Sequence, residues 1–261
     1  MNNAIGDILR KWRKQRRYSQ LQLALEVGIS SKHVSFLETG RSMPSRAMIL
    51  RIGEFLFLPK QEINRGLNSA GYAPFFTELA FGHEDLKPVV NAIDHMISNH
   101  MPYPAIVLNQ NWDVVKANDS AKTLLNDVGY SGYTNLLEAL IHDDPNTSKI
   151  VNWRESALAV LVRLRHEISA LGGASKLEAF EEKLTARLIP YDETENYYET
   201  ANMDSKQAIL STQFKVADCV LSFFSILSQL STIQDVTVSE FKIELMFPSD
   251  ETTKRFYNKN N

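Results

Sequence analysis

A single cysteine, Cys219, is all the thiol chemistry in this chain. An intramolecular disulfide is thereby excluded, as is any metal site built from several cysteines, and a reducing compartment is the simplest setting. No stretch approaches the ~20 consecutive apolar residues that span a membrane, and the N-terminal MNNAIGDILRKWRKQRR holds no apolar run of signal-peptide length. The expectation is a cytoplasmic protein with no membrane partner. Signatures of catalysis are also missing: there is no glycine-rich phosphate loop, no G-x-S-x-G elbow and no H-E-x-x-H. Histidines at 33, 83, 95, 100, 142 and 166 form no pair at metal-ligand spacing with one another or with Cys219. Asp143-Asp144, followed by Pro145, reads as a loop or cap rather than a paired-carboxylate catalyst. Neither an enzyme nor a resident metal or cofactor is expected.

What the chain does have is a division of charge. Its net charge of −3 hides a basic segment: residues 1–72 carry twelve Lys/Arg against five Asp/Glu, a net of +7, and the remainder carries sixteen against twenty-six, a net of −10. Phosphate affinity depends on local positive charge, so a nucleic-acid contact belongs to the N-terminal part. With 261 residues, 44% of them hydrophobic, the chain can bury a core in one or two domains.

Within the basic segment, Ile5, Ile8, Leu9 and Trp12 recur at helical spacing, which predicts a helix over 4–16 with Arg10, Arg13, Lys14 and Arg17 on its other face. Such a face is either merely solvated or a phosphate contact, and the next stretch decides between them. Ser19 is a good N-cap for a helix over 20–27, with Leu23, Ala24 and Val27 inward, and Gly28 supplies the positive φ of a helix stop. Ser30 caps a second helix to Thr39, with Val34 and Leu37 inward and Ser31, Lys32, Ser35 and Phe36 outward; Gly40 ends it. Two short helices crossing through a glycine turn make a helix-turn-helix, whose second helix enters the DNA major groove. Ser31, Lys32 and Ser35 would face base edges, Phe36 the thymine methyl groups, and Gln20 and Arg41 phosphates. His33 is taken to flank the interface. Further helices follow from Ser45, with Met48, Ile49, Ile52, Phe55 and Leu56 apolar, and over 60–70.

The string SQLQLALEVGISSKHVSFLETGRSMPS resembles the lambda-repressor-like helix-turn-helix of the xenobiotic-response-element family of bacterial transcription regulators, over roughly residues 4–70. The resemblance implies an all-α, five-helix DNA-binding domain in which Gln20 anchors a phosphate, Ser31, Lys32, Ser35 and Phe36 occupy base-reading positions, and Arg41 contacts the backbone. Arg10 and Arg13 join them as candidate DNA contacts. The sequence departs from the family at Leu21 and Leu25, which stand where charged residues are usual, and at Phe36. The leucine pair is read either as inconsequential or as a docking surface.

Ala70–Phe76 holds the glycine and proline of a domain boundary. The expected division is a DNA-binding domain over 1–72, a linker and connecting helix over 73–103, and a regulatory domain over 104–261. A helix over 84–99 begins near Pro88. Pro104–Leu108 and Trp112–Ala117, joined by Asn109-Gln110-Asn111, suggest a β-hairpin, and Asn118 caps the helix that follows. Residues 134–142, 153–170 and 175–188 read as helices, the second closed by Gly172-Gly173, and 192–204 as a loop. Ala208–Val216, Val220–Ser228 and Phe241–Phe247 read as strands of an antiparallel sheet, the last also admitting a helical reading, before a closing helix over 252–257. This mixed order argues for an α+β sensor-like fold rather than a doubly wound one.

The segments AGYAP, YPAIVLNQNWDVVKAN, NWRESALAVLVRLRHEI and LSFFSILSQLSTIQDVTVSEFKIELMFPSDETT resemble the MmyB-like ligand-binding domain, a Per-Arnt-Sim-type sensor fused to this kind of helix-turn-helix; the fit is loose over 174–205. The resemblance implies a cavity between sheet and helices for a small apolar, fatty-acid-like ligand. Trp112, Trp153, Phe223 and Phe224 are the candidate lining residues, with the ordinary core as the competing reading, and Cys219 is read as a buried inert thiol. The reading in sum is a DNA-binding regulator, a repressor acting as a homodimer on a double-stranded operator. The alternative gives its C-terminal domain only a dimerisation or protein-interaction role.

Overall fold

The computed structural model describes residues 4–79, 83–171, 175–189, 211–230, 235–236 and 241–259. The chain divides into two compact units, one drawn from residues 1–79 with 165–175 and 234–236, the other from the rest.

The first unit is all α. Helices α1 (Ala4–Gln15), α2 (Gln20–Glu26), α3 (Ser31–Glu38), α4 (Arg46–Phe55) and α5 (Lys60–Ser69) fall where hydrophobic spacing and caps place them. Ser19, Ser30 and Ser45 each accept a backbone N–H from the first turn of the helix they precede. Satisfying an otherwise orphaned donor in this way stabilises each helix start by about 1 kcal/mol. Gly28 and Gly40 adopt φ of 65° and 72°, and the N–H of Ile29 returns to the carbonyl of Ala24, closing α2. Ile5, Leu9, Trp12, Leu23, Val34, Leu37, Ile49, Ile52 and Leu67 form one core. Helix α5 meets α1 at Gly66, where an added Cβ would lie 2.3 Å from the Trp12 ring. The segment after α5 stays on this unit: Asn64 accepts the N–H groups of Phe75 and Phe76 at 3.0 and 3.1 Å and donates to the Phe76 carbonyl at 2.9 Å.

The second unit is α+β. After a 3-10 turn (Glu84–Leu86) and α6 (Lys87–Asn99) come β1 (Ala105–Leu108), β2 (Val114–Ala117), α7 (Asp119–Asp127) and α8 (Leu136–His142). Helices α9 (Trp153–Leu171) and α10 (Ser175–Leu188) follow, α9 belonging to this unit as far as Leu164. Strands β3 (Thr212–Val216), β4 (Cys219–Gln229) and β5 (Lys242–Pro248) precede α11 (Glu251–Lys259). One antiparallel sheet results, in the order β2-β1-β5-β4-β3. The last strand pairs with both β1 and β4, which settles the strand reading of the 241–247 stretch over the helical one.

Asn118 caps α7 and ties it to the sheet. Its Oδ1 accepts from Ala105 and Ala121, and its Nδ2 donates to the carbonyls of Ile97 and Tyr103. Asp250 caps α11 through the Thr253 N–H, and the Thr253 hydroxyl accepts from the Ser222 N–H of β4. Burial alone would raise the Asp250 pKa, but hydrogen bonds from the Thr253 N–H and hydroxyl, the Ser222 hydroxyl and the Thr252 N–H outweigh it and hold the carboxyl below its ordinary range.

The hairpin loop is longer than its Asn-Gln-Asn core suggests. Asn109 Oδ1 accepts from Asn111 and Asp113, and Trp112 turns into the left-handed region at φ 67° instead of starting β2. An Asx turn thus overrides the strand propensity of Trp112. Residues 172–173, the loop over 192–204 and the start of the 208–216 strand lie outside the described residues.

Candidate functional site

In the first unit, the outward part of α3 is its N-terminal turn. Ser31 and Lys32 are exposed, and Ser35 and Phe36 follow half-buried on the next turn. The Phe36 ring has the Lys32 ammonium 5.6 Å from its centroid and the Arg41 guanidinium at 5.7 Å. A flat apolar face flanked by two cations suits a duplex, offering contact to thymine methyls and charge to phosphates. Leu21 and Leu25 are 59% and 72% exposed.

Behind this face sits a charge cluster that hydrophobic spacing did not locate correctly. Arg13 does not stand on the charged face of α1 as expected: it is buried, with Nε and Nη2 donating to the two carboxylate oxygens of Glu38 at 2.6 and 2.8 Å and Nη1 donating to the Tyr18 carbonyl. Ile5, Leu9, Trp12 and Arg13 are the buried side-chain positions of α1, and Arg13 falls one turn beyond Leu9, a spacing that places it inward. The guanidinium expected at DNA is thus turned into the interior of the unit. Arg10 is half-buried; its Nη2 donates to the Glu38 carbonyl, and it pairs loosely with Asp7 and the Glu38 carboxylate at 3.7 Å each.

Gln20, at the first position of α2, donates from Nε2 to Glu38 Oε2 at 2.8 Å. This bond fixes the amide at a helix N-terminus, where the dipole favours an anion. Burial raises the Glu38 pKa, yet the hydrogen bonds from Arg13 and Gln20 and the charges of Arg13 and Arg10 more than offset it, so the carboxyl titrates below its usual range. The cluster therefore stays ionised at neutral pH and couples α1, α2 and the end of α3 into one rigid support.

Between sheet and helices the second unit holds a recess of about 150 Å³ that is partly open to solvent. Its wall is mostly apolar, with Ile106, Leu124, Leu137, Leu140, Val160 and Met246 among the contributors. Arg163 of α9 and Glu244 of β5 supply its charged end, paired at 3.2 Å, and the Arg163 guanidinium lies 4.2 Å from the centre of the Trp112 ring. Of the four aromatic candidates, Trp112 lines the cavity, while Trp153 and Phe223 are buried in the surrounding core at 3% and 1% exposure. Phe224 stacks on Phe247 on the opposite side of β4 from Ser225, which does line it.

A glutamate in an alternating strand and an arginine in a long amphipathic helix each read as a solvated position, so the sequence pattern does not bring this pair together. An open groove of about 830 Å³ runs along β2, lined in part by Asp94, Lys116 and Lys122. Leu125 and Tyr130 line both spaces and so stand between them. The Tyr130 hydroxyl donates to Asp143. Among the described residues no group of His, Cys, Asp and Glu could hold a metal ion, and no helix is long and apolar enough to cross a membrane.

A helix-turn-helix unit with a basic outer face, followed by an α+β unit with a mostly apolar recess, is the arrangement of a DNA-binding transcription regulator with a ligand-binding domain. Residues 9–63 match the helix-turn-helix family, and residues 89–258, more than half of the chain, match the MmyB-like transcription regulator ligand binding domain. The chain belongs to the MmyB-like transcription regulators, of the helix-turn-helix type found in xenobiotic-response-element regulators. These are families of regulators rather than enzymes. No curated protein matches the chain.

Proposed function

We propose that the chain is a ligand-responsive repressor: residues 1–72 bind an operator, 73–103 connect, and 104–261 hold a small apolar ligand that alters DNA binding. The outward turn of α3, with Lys32 and Arg41 flanking Phe36, carries the DNA-binding part of this reading. Ser31, Lys32, Ser35 and Phe36 read bases, and Gln20, Arg41 and Arg10 contact phosphates. The functional species is a homodimer with its recognition helices ~34 Å apart, one DNA turn, and the ligand acts by changing that spacing. Repression is the simplest sign of regulation, because a unit lodged in the major groove blocks the DNA it covers without needing any further protein contact.

Selection of bound duplexes from a randomised pool supplies the operator. On that duplex the S31A/K32A double variant should lose about tenfold or more in affinity while its binding to random DNA changes little. R41A should weaken both alike and lower the salt slope by about one. Unchanged operator affinity in S31A/K32A, with the fold intact by circular dichroism, would remove the assignment of α3 as reader.

The apolar cavity supports the ligand arm, and the fatty-acid-like character implied by the family is one form of it. Native mass spectrometry of the purified protein tests this arm against a purely protein-interacting domain. A bound small-molecule mass that survives gentle desolvation supports the sensor. Reproducibly empty protein supports the interaction module, for which the open groove along β2 offers the surface.

A further inference from the structure

Phe36 is the one apolar side chain on the outward part of α3, in company with Ser31, Lys32 and Ser35. Among the described residues, the partly buried apolar side chains that pack on the core of this unit include Ile29, Met48 and Phe55 but not Phe36. Its neighbours are cations instead: the Lys32 ammonium one turn before it and the Arg41 guanidinium after it, 5.6 and 5.7 Å from the ring centroid. The backbone fixes Arg41 there. Gly40 turns at φ 72°, and the N–H groups of Arg41 and Ser42 both donate to the Phe36 carbonyl, at 2.9 and 3.2 Å. Neither cation has an ion-pair partner among the described residues, so both are available to phosphates or bases.

A ring flanked by two such cations is drawn against the duplex by their charge, yet it can form no hydrogen bond to a base edge. In the major groove guanine, adenine and cytosine present donors and acceptors, whereas thymine adds a C5-methyl group. Laid on a purely polar edge, the ring displaces water from groups it cannot satisfy. Laid on a methyl group, it removes apolar surface from water on both sides. Cytosine methylated at C5 carries the same group on the same ring atom and keeps its own N4 donor, and uracil is thymine without that group.

We propose that Phe36 reads the C5-methyl group of a pyrimidine, so that the position beneath it is sensed as methylated or unmethylated: thymine and 5-methylcytosine are both accepted, and uracil and cytosine are discriminated against. This rests on the proposed placement of α3 in the major groove. Methylation of a cytosine at that position therefore tightens operator binding rather than blocking it.

The test uses the full chain and the selected operator. Selection repeated with Phe36→Ala locates the position, as the one where the base preference of wild type disappears. Duplexes carrying thymine, uracil, 5-methylcytosine or cytosine at that position of one half-site are then titrated by fluorescence anisotropy at fixed salt. Wild type is expected to bind thymine about fourfold tighter than uracil, and 5-methylcytosine about fourfold tighter than cytosine, the effect of burying one methyl-sized apolar group. In Phe36→Ala both ratios should fall below about twofold. A ratio taken within one protein cancels any loss of stability, and Phe36→Gln, which keeps a long side chain but makes it polar, replaces the alanine variant should that one not fold. A wild-type ratio near one for either pair, or weaker binding of 5-methylcytosine than of cytosine, overturns the methyl reading. If S31A/K32A still loses operator affinity in that case, α3 stands as the reader. Ratios that persist in both Phe36 variants, or a selection in which no position responds to Phe36→Ala, remove Phe36 as their source. Unchanged operator affinity in S31A/K32A overturns the placement of α3 and this proposal with it.

Discussion

Replacing Glu38 by alanine should be the most damaging single change in the DNA-binding unit that touches no apolar core residue. The carboxylate is 1% exposed and the Arg13 side chain 9% exposed, and they are joined bidentately at 2.6 and 2.8 Å. Deleting one partner of such a pair leaves a desolvated guanidinium without its counter-charge, which costs about 3–5 kcal/mol. A unit of this size has a total stability of about 4–11 kcal/mol. Its melting temperature should fall by at least about 12 °C. Hydrogen exchange read by mass spectrometry on the full chain resolves the effect by location: protection should drop for core amides of α1 and α3 and stay unchanged in β1, β4 and β5. The double variant Arg13→Met, Glu38→Leu removes both charges and should recover most of the loss, since a buried pair is often replaceable by apolar packing. The pH dependence has a definite sign. Because the folded Glu38 carboxyl titrates below its ordinary value of 4.5, its stabilisation is complete above that value and is lost as pH falls through the lower folded value. A loss below about 1 kcal/mol in Glu38→Ala, or a double variant no better than the single one, would refute the reasoning.

Gly66→Ala should destabilise the same unit by about 1–3 kcal/mol, because a methyl group at that position meets the Trp12 ring at 2.3 Å and one of two helices must shift; a chemical denaturation midpoint equal to wild type would show that α5 moves freely. Asn118→Ala should cost the second unit about 3 kcal/mol, since it removes the cap of α7 and unpairs the Ala105 N–H and the carbonyls of Ile97 and Tyr103. Hydrogen exchange localised to α7 and β1 checks it, and an effect confined to α7 would mean the asparagine serves as a cap alone.

The helices of the DNA-binding unit were legible because each signal is local. A serine cap, a glycine stop and apolar residues three and four apart act within one or two turns, and α1 to α5 fall where these signals put them. What was not legible there is the inward turn of Arg13, since a charged residue beside a hydrophobic stripe reads as solvated until its counter-charge, twenty-five positions later at Glu38, is in place. The sheet was legible as a set of strands but not as an order: the pairing of β5 between β1 and β4 is non-local. Trp112 shows the limit of propensity, since an aromatic residue beside an alternating run should extend the strand, yet the Asn109 side chain bonds the backbone two and four residues on and turns it away. Of the four aromatics chosen as pocket candidates, that displaced one is the one that reaches the cavity. The regular strand and helix positions of Phe223 and Trp153 bury them in the core instead.

Each unit carries an Arg–Glu pair, buried in the first and half-buried in the second, and the difference separates their roles. Glu38 accepts two bonds from Arg13 and one from Gln20, and the pair lies almost wholly out of water. Opening it strands a charge with nothing to replace the partner, so nothing is gained by exchange and the pair holds three helices in register. Arg163 and Glu244 meet at 3.2 Å, keep 26% and 20% of their side-chain surface accessible, and border a cavity rather than packed side chains. Full burial with complete hydrogen bonding thus makes the first pair a fixed support, and partial exposure beside an open recess leaves the second within reach of solvent.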